Sequence, residues 1–211
     1  MKNALIIVDV QNDFCPGGNL AVDDGARIIP NINALMSREY KTIVATQDWH
    51  PLKHISFATT HAKNPFEIID VPYGKQMLWP THCVQGTFGA ELHKDLNTNK
   101  IKHIIRKGDN INIDSYSAFL ENDKNTSTGL YELLWNMDLD EIDIVGIATD
   151  VCVLNTAMDA IKMFSMSQTK ISVIQNCCAG VTIEGTRKAI KEMEQAGIFI
   201  DNIITLDGEI K

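Results

Sequence analysis

The sequence predicts an α/β fold: one domain with an open, mostly parallel sheet of about six strands and helices on both faces. Strand-like and helix-like segments alternate along the chain, which is the pattern of strands joined by crossover helices. Several strand-like segments, such as LIIV, are continuously apolar, as strands covered on both faces should be. With 211 residues, 45% of them hydrophobic, the chain can build one substantial core, so we expect residues 1–211 to form a single domain.

Short apolar segments rich in β-branched residues predict the strands. They cover residues 4–8, 42–45, 103–106, 142–147, 171–174 and, with a less regular pattern, 198–204.

Apolar residues spaced three and four positions apart predict the helices. They cover residues 26–38, 129–137, 151–164 and 184–196. In the first of these, Ile28, Ile32 and Leu35 share a face, and Gly197 follows the last one as a C-terminal cap.

The segment 49–99 is rich in proline, histidine and aromatic residues and shows little periodicity. Long irregular segments inside compact domains are usually functional. We therefore expect this segment to lie over the carboxyl edge of the sheet, where open α/β folds bind their ligands.

The charge pattern excludes some partners. With 27 acidic and 19 basic residues, a formal charge of -8 and no block of lysine or arginine, neither nucleic acid nor an anionic membrane is expected as a partner. The first residues do not read as a signal peptide, and no later run approaches transmembrane length, so a cytoplasmic location is expected. Five cysteines, an odd number, predict free thiols. The sequence leaves the oligomeric state open, homo-oligomers included.

Cys152 is the candidate nucleophile. It follows the apolar strand IDIVGI and the small and polar residues ATDV, in the first turn of a predicted helix capped by Thr149 or Asp150. Free N–H groups and the positive helix end would stabilise a thiolate there and make the thiol reactive near neutral pH. The alternative is a buried structural cysteine.

Two further ionisable residues follow predicted strands. Asp9 ends the first strand and Lys107 follows the third, and the same-sense ends of a parallel sheet lie along one edge. A partly desolvated carboxylate can take the proton of the Cys152 thiol and later return it to a leaving group, while the ammonium holds the charges in place. Taken singly, Asp9 could be a turn cap and Lys107 a solvated surface charge.

A second cluster, in DWHPLKH and WPTHCVQG, predicts a metal site. Asp48 and His50 project to the same side of an extended segment, since they occupy alternate positions. His82 is the third candidate ligand and His54 a candidate fourth, with a hydrogen bond to a ligand as its other role. Carboxylate and imidazole ligands suit one divalent ion, Zn²⁺ first, with Fe²⁺ and Mn²⁺ as alternatives.

Five ordered motifs, spanning nearly the whole chain, resemble the nicotinamidase/pyrazinamidase family of the isochorismatase-like cysteine hydrolases. They are LIIVDVQNDFCPGG, TQDWHP, WPTHCVQGTFGAEL, RKGDN followed by DSYSAF, and GIATDVCVLNTAMDA. The resemblance implies the isochorismatase-like hydrolase fold and matches the two residue clusters above to a catalytic triad and to metal ligands. His54 matches a position that some members also use for metal.

The resemblance implies further site residues. Phe14, Trp79 and Tyr116 match aromatic positions that line a pyridine pocket. A cis peptide before Ala148 would turn its N–H toward the same point as the N–H of Cys152, and the two together would form an oxyanion hole.

The implied reaction converts nicotinamide to nicotinate and ammonia through a thioester, and pyrazinamide in the same way, which would place the enzyme in NAD salvage. Three alternatives stay open. An isochorismatase-type hydrolase generally lacks the cysteine. An amidase for carbamoyl compounds would share the triad without the metal cluster, and a non-catalytic binding protein with the same fold would show a degenerate triad.

Overall fold

The computed structural model describes residues 2–203 and contains an all-parallel, six-stranded sheet. In chain order the strands are β1 (Asn3–Val8), β2 (Thr42–Asp48), β3 (Ile68–Val71), β4 (Gly74–Met77), β5 (His103–Lys107), β6 (Glu141–Ile147), β7 (Lys170–Ala179) and β8 (Phe199–Asp201). The sheet order is β5-β2-β1-β6-β7-β8, and every neighbouring pair in it is parallel. Strands β3 and β4 form a separate antiparallel hairpin. The predicted fold class is confirmed.

In the described part of the chain, residues 2–203, four helices cover the sheet: α1 (Ile29–Leu35), α2 (Leu130–Trp135), α3 (Leu154–Met163) and α4 (Ile183–Gln195). The core lies in two clusters, one on each face. Alternate residues of β1 enter different clusters: Leu5 packs with α1, whereas Ile6 packs with α2 and α3. Burial on both faces explains why residues 4–8 of β1 are all apolar.

Some predicted boundaries differ from those observed. Helix α1 is shorter than the predicted 26–38 and β7 is longer than 171–174. Residue 204, the last one of the final predicted strand, lies outside the described residues. Gly197 has a φ of +88° after α4, as its predicted role as a C-terminal cap requires.

The predicted cap of the Cys152 helix is wrong. One turn of π-helix, Thr149–Val153, precedes α3, and neither Thr149 nor Asp150 caps it with a side chain. The carboxylate of Asp150 instead accepts hydrogen bonds from the N–H groups of Val181 and Thr182, at 2.8 and 3.2 Å. It therefore holds the chain at the start of α4 rather than its own turn.

The predicted loop 49–99 contains the β3–β4 hairpin and several short 3₁₀ turns. It lies at the carboxyl edge of the sheet: the Trp49 N–H donates to the Lys107 carbonyl and the His50 N–H to the Cys83 carbonyl, each at 3.0 Å. Within residues 2–203 no helix is long and apolar enough to cross a membrane.

Candidate active site

Lys107 contacts the other buried ionisable groups at the carboxyl edge of the sheet: Asp9, Asp48 and Cys152. It ends β5 and is completely buried. Its Nζ lies 2.8 Å from Oδ2 of Asp9 and 3.6 Å from Sγ of Cys152. It also donates hydrogen bonds to the Asp48 carboxylate and, at 3.1 Å, to the Ser115 carbonyl. Burial alone would lower the pKa of Lys107, but the carboxylates of Asp48 and Asp9 raise it well above its usual value. The side chain is a fixed cation.

Asp9 follows β1 with a left-handed φ of +49°, and its side chain has no exposed surface. Its N–H donates to Thr46 Oγ1 at 3.1 Å, and the Thr46 hydroxyl donates back to Asp9 Oδ1 at 2.5 Å. Burial raises the pKa of Asp9, and Lys107 opposes that shift. A buried carboxylate with a raised pKa can exchange a proton with a nearby thiol, here that of Cys152.

Cys152 lies in the π-helical turn and is 7% exposed. Burial raises the pKa of its thiol well above the usual range despite the nearby Lys107, and Asp9 adds to that shift. Burial thus opposes the thiolate that the helix N-terminus was expected to stabilise, so the thiol needs a base.

Asp48, His50 and His82 converge on one point. Asp48 Oδ2 lies 3.6 Å from His50 Nε2 and 3.7 Å from His82 Nε2, and all three side chains are buried. His50 Nδ1 donates to the Gly108 carbonyl at 2.8 Å and His82 Nδ1 to the Pro80 carbonyl at 2.7 Å. Each ring therefore directs its Nε2 at the Asp48 carboxylate, which is how metal-binding histidines are oriented.

These three residues fit a divalent ion. Their candidate ligand atoms all lie within 4.8 Å of one another, and the set of one carboxylate and two imidazoles matches the chemistry of Zn²⁺ or Fe²⁺ sites. Burial alone would raise the pKa of Asp48, but Lys107 and His50 hold it well below its usual value. The carboxylate is thus ionised and able to bind metal.

His54 differs from the other two histidines. It stacks on His50 with ring centroids 4.2 Å apart, and both of its nitrogens have partners: Ser56 Oγ at 2.7 Å and the Ile113 carbonyl at 3.0 Å. Burial lowers the pKa of His54 to about 4, so the ring is neutral. These contacts favour a role in supporting His50 over a role as a ligand.

A largely apolar pocket opens beside Cys152. The three aromatic residues expected there, Phe14, Trp79 and Tyr116, line it together with Ala148. The peptide bond between Ile147 and Ala148 is cis, as the resemblance implies. The pocket therefore brings an apolar ring site, the thiol and the candidate metal ligands together.

Sequence reasoning missed two polar residues of the pocket wall. Asp114 and Ser115 line it next to Tyr116, and the Ser115 carbonyl bonds to Lys107. Asp114 is buried and accepts a hydrogen bond from Gln76 Nε2 at 2.7 Å. Both residues stand in the motif DSYSAF, and an acidic residue in a polar segment gives no sign of its burial.

The arrangement supports acyl transfer on an aromatic amide. A thiol, a buried base and a fixed cation lie at one end of the pocket, and a candidate metal site with Nε2 atoms available lies at another.

Residues 3–202 match the Isochorismatase domain family model. A nicotinamidase of Acinetobacter baylyi is 53% identical over 197 residues, which cover 92% of this chain and 90% of the relative.

Solved structures are similar over nearly the whole chain. A nicotinamidase/pyrazinamidase of Acinetobacter baumanii has a TM-score of 0.89 at 49% identity, covering 95% of this chain and 96% of that one. PnC1 of L. infantum in complex with nicotinate has a TM-score of 0.82 at 38% identity, covering 95% of this chain and 92% of that one. A pyrazinamidase of Pyrococcus horikoshii in complex with zinc has a TM-score of 0.77 at 33% identity, covering 96% of this chain and 100% of that one.

Proposed function

Because the chain belongs to the isochorismatase domain family, and its similar relatives are nicotinamidases along nearly their full length, we propose that it hydrolyses nicotinamide to nicotinate and ammonia. It is a cysteine amidohydrolase of NAD salvage. Pyrazinamide is expected to react in the same way, since pyrazinamidases are among the similar proteins.

We assign the chemistry to Asp9, Lys107 and Cys152. Asp9 takes the thiol proton, and the thiolate attacks the carboxamide carbon to give a tetrahedral oxyanion. Asp9 returns the proton to the leaving nitrogen, ammonia departs, and a thioester to Cys152 remains. Asp9 then takes a proton from water, the hydroxide attacks the thioester, and the thiolate leaves. Asp9 returns its proton to the Cys152 sulfur, and the nicotinic acid formed ionises to nicotinate.

The contact that carries this assignment is the buried ion pair of Lys107 with Asp9, at 2.8 Å, beside the Cys152 sulfur at 3.6 Å. Lys107 is held between carboxylates and stays charged throughout. Its field stabilises the thiolate once the proton has left, so the raised pKa of the resting thiol does not prevent attack. We place the oxyanion at the N–H groups of Ala148 and Cys152.

Asp48, His50 and His82 would hold one divalent ion, most simply zinc. When bound, the ion offers a Lewis-acidic position that can take the ring nitrogen and so orient the carboxamide over the thiol. Phe14, Trp79 and Tyr116 pack around the ring and exclude water. We place His54 outside the ligand set, as a support for His50.

Ammonia release from a panel of amides tests the proposal, with metal analysis of the purified protein alongside. Nicotinamide and pyrazinamide should be hydrolysed, whereas N-carbamoyl compounds should not. Preferential release from a carbamoyl substrate would instead favour the related amidase activity. We place the reaction in the cytoplasm, which localisation of the native protein would test.

A further inference from the structure

The β3–β4 hairpin reaches the pocket through one buried residue that lies outside the pocket itself. Gln76, on β4, is 1% exposed. Its Nε2 donates to Asp114 Oδ2 at 2.7 Å and to the Met77 carbonyl at 2.6 Å, and it lies 3.2 Å from the hydroxyl oxygen of Tyr116. The Asp114 carboxylate and the Met77 carbonyl can only accept hydrogen bonds, so the nitrogen of the Gln76 amide must face them.

The other side of the amide is fixed as well. Tyr73, in the turn of the same hairpin, donates from its hydroxyl to Gln76 Oε1 at 3.0 Å and accepts from the Asp114 N–H at 3.1 Å. Every hydrogen-bonding atom of the Gln76 amide thus has a partner. Such a network holds one geometry, and losing a member leaves a buried group unpaired.

Segment 114–116 is the part of the pocket wall that this network holds. Asp114, Ser115 and Tyr116 all line the pocket. Tyr116 also accepts from Trp79 Nε1 at 3.2 Å, with the two rings edge to face at 6.2 Å. Gln76 contacts the segment at both ends, at Asp114 and at Tyr116.

We propose that Gln76 is a positioning residue for the aromatic substrate: it holds the Asp114 carboxylate in one hydrogen-bonded position in the pocket wall and holds Tyr116 against Trp79. This inference rests on the proposed function. Without Gln76, Asp114 would keep the Ser115 N–H on Oδ1, at 2.9 Å, but lose the donor to Oδ2. That oxygen would shift in the pocket wall or admit water, and an aromatic ring would then meet an unpaired polar atom. The Lys107 contacts with Asp9 and Asp48 do not involve segment 114–116, and only the hydrogen bond of Lys107 to the Ser115 carbonyl does. The effect should therefore fall on substrate binding and spare the reactive thiol.

The test compares Gln76→Met with Lys75→Met. Lys75 is the neighbouring residue on β4, and its exposed side chain pairs with Asp70, so both variants place methionine on the same strand. Gln76→Met should raise KM for nicotinamide by roughly tenfold or more, because that factor corresponds to the free energy of one lost hydrogen bond to a charged group. Its kcat and the rate at which iodoacetamide alkylates Cys152 should stay near the wild-type values, and Lys75→Met should resemble wild type throughout.

Equal KM values for the two variants would overturn the inference. So would a parallel fall of kcat, alkylation rate and thermal stability in Gln76→Met, since that is the pattern of a general loss of structure. If Gln76→Met does not fold, Tyr73→Phe decides the matter: it removes one neutral hydrogen-bonding group and should raise KM by about 2- to 10-fold with kcat unchanged. Failure of the wild-type enzyme to release ammonia from nicotinamide would count against the proposed function instead.

Discussion

Replacing Gly108 with alanine should weaken metal binding through a steric effect on His50. Gly108 has a φ of +62°, and a Cβ built on it would lie 2.4 Å from Cε1 and 2.7 Å from Nδ1 of His50. The ring would have to move by about 1 Å to restore an ordinary contact of 3.4 Å. Metal sites tolerate deviations of only about 0.2 Å in ligand distance. The variant should therefore lose roughly 10- to 100-fold in metal affinity, as when the support of a ligand is lost.

Gly129→Ala is the matched control for this experiment. Gly129 has a φ of +89°, but a Cβ there would meet nothing within 4 Å. Both variants carry the cost of alanine in a left-handed conformation, about 1–2 kcal/mol, and only Gly108→Ala disturbs a candidate ligand. Competition with a chelator, followed by elemental analysis, measures the affinities. If both variants retain metal equally well, His50 is not held as we describe or is not a ligand.

Three further predictions concern the assigned residues. Cys152→Ala should abolish turnover yet still bind nicotinamide in calorimetry, since the ring pocket is intact; an active variant would place the nucleophile elsewhere. Asp9→Asn should lower kcat by roughly 10² to 10⁴, as for a lost general base, and Asp13→Asn by much less, because Asp13 accepts hydrogen bonds from the N–H groups of its loop and of Cys83; similar kcat values would contradict the proton transfer. His82→Ala should lower the bound metal measured by elemental analysis more than His54→Ala does, and an equal loss would make His54 a ligand.

The sheet could be predicted because its strands are buried on both faces. In β1 every residue from 4 to 8 belongs to one of the two cores, so its apolar run is unbroken and easily recognised. The parallel order followed from the alternation with helices, and it places Asp9, Lys107 and Cys152 at one edge. Short-range sequence patterns were therefore sufficient to predict the strands, their parallel arrangement and the edge at which the three residues lie.

The ionisation of the thiol could not be predicted in the same way. A helix start after a strand is a local pattern, but the π-helical turn and the burial of Cys152 depend on packing with distant segments. Desolvation, which local sequence does not report, decides the pKa of that thiol. Gln76 was missed for a related reason: its strand is short, with exposed neighbours, and the burial of one amide there depends on contacts with Tyr73 and Asp114.

The candidate metal site and the triad meet at Asp48, which contacts both groups of residues. Strands β2 and β5 pair so that Asp48 and Lys107 are direct partners. One carboxylate oxygen of Asp48 accepts from Lys107, while the other faces His50 and His82. Strand β1 lies on the other side of β2 and brings Asp9 to the same ammonium. Strand register thus links the two sites through a single carboxylate, and any change in the charge at the metal position acts directly on the partner of Lys107.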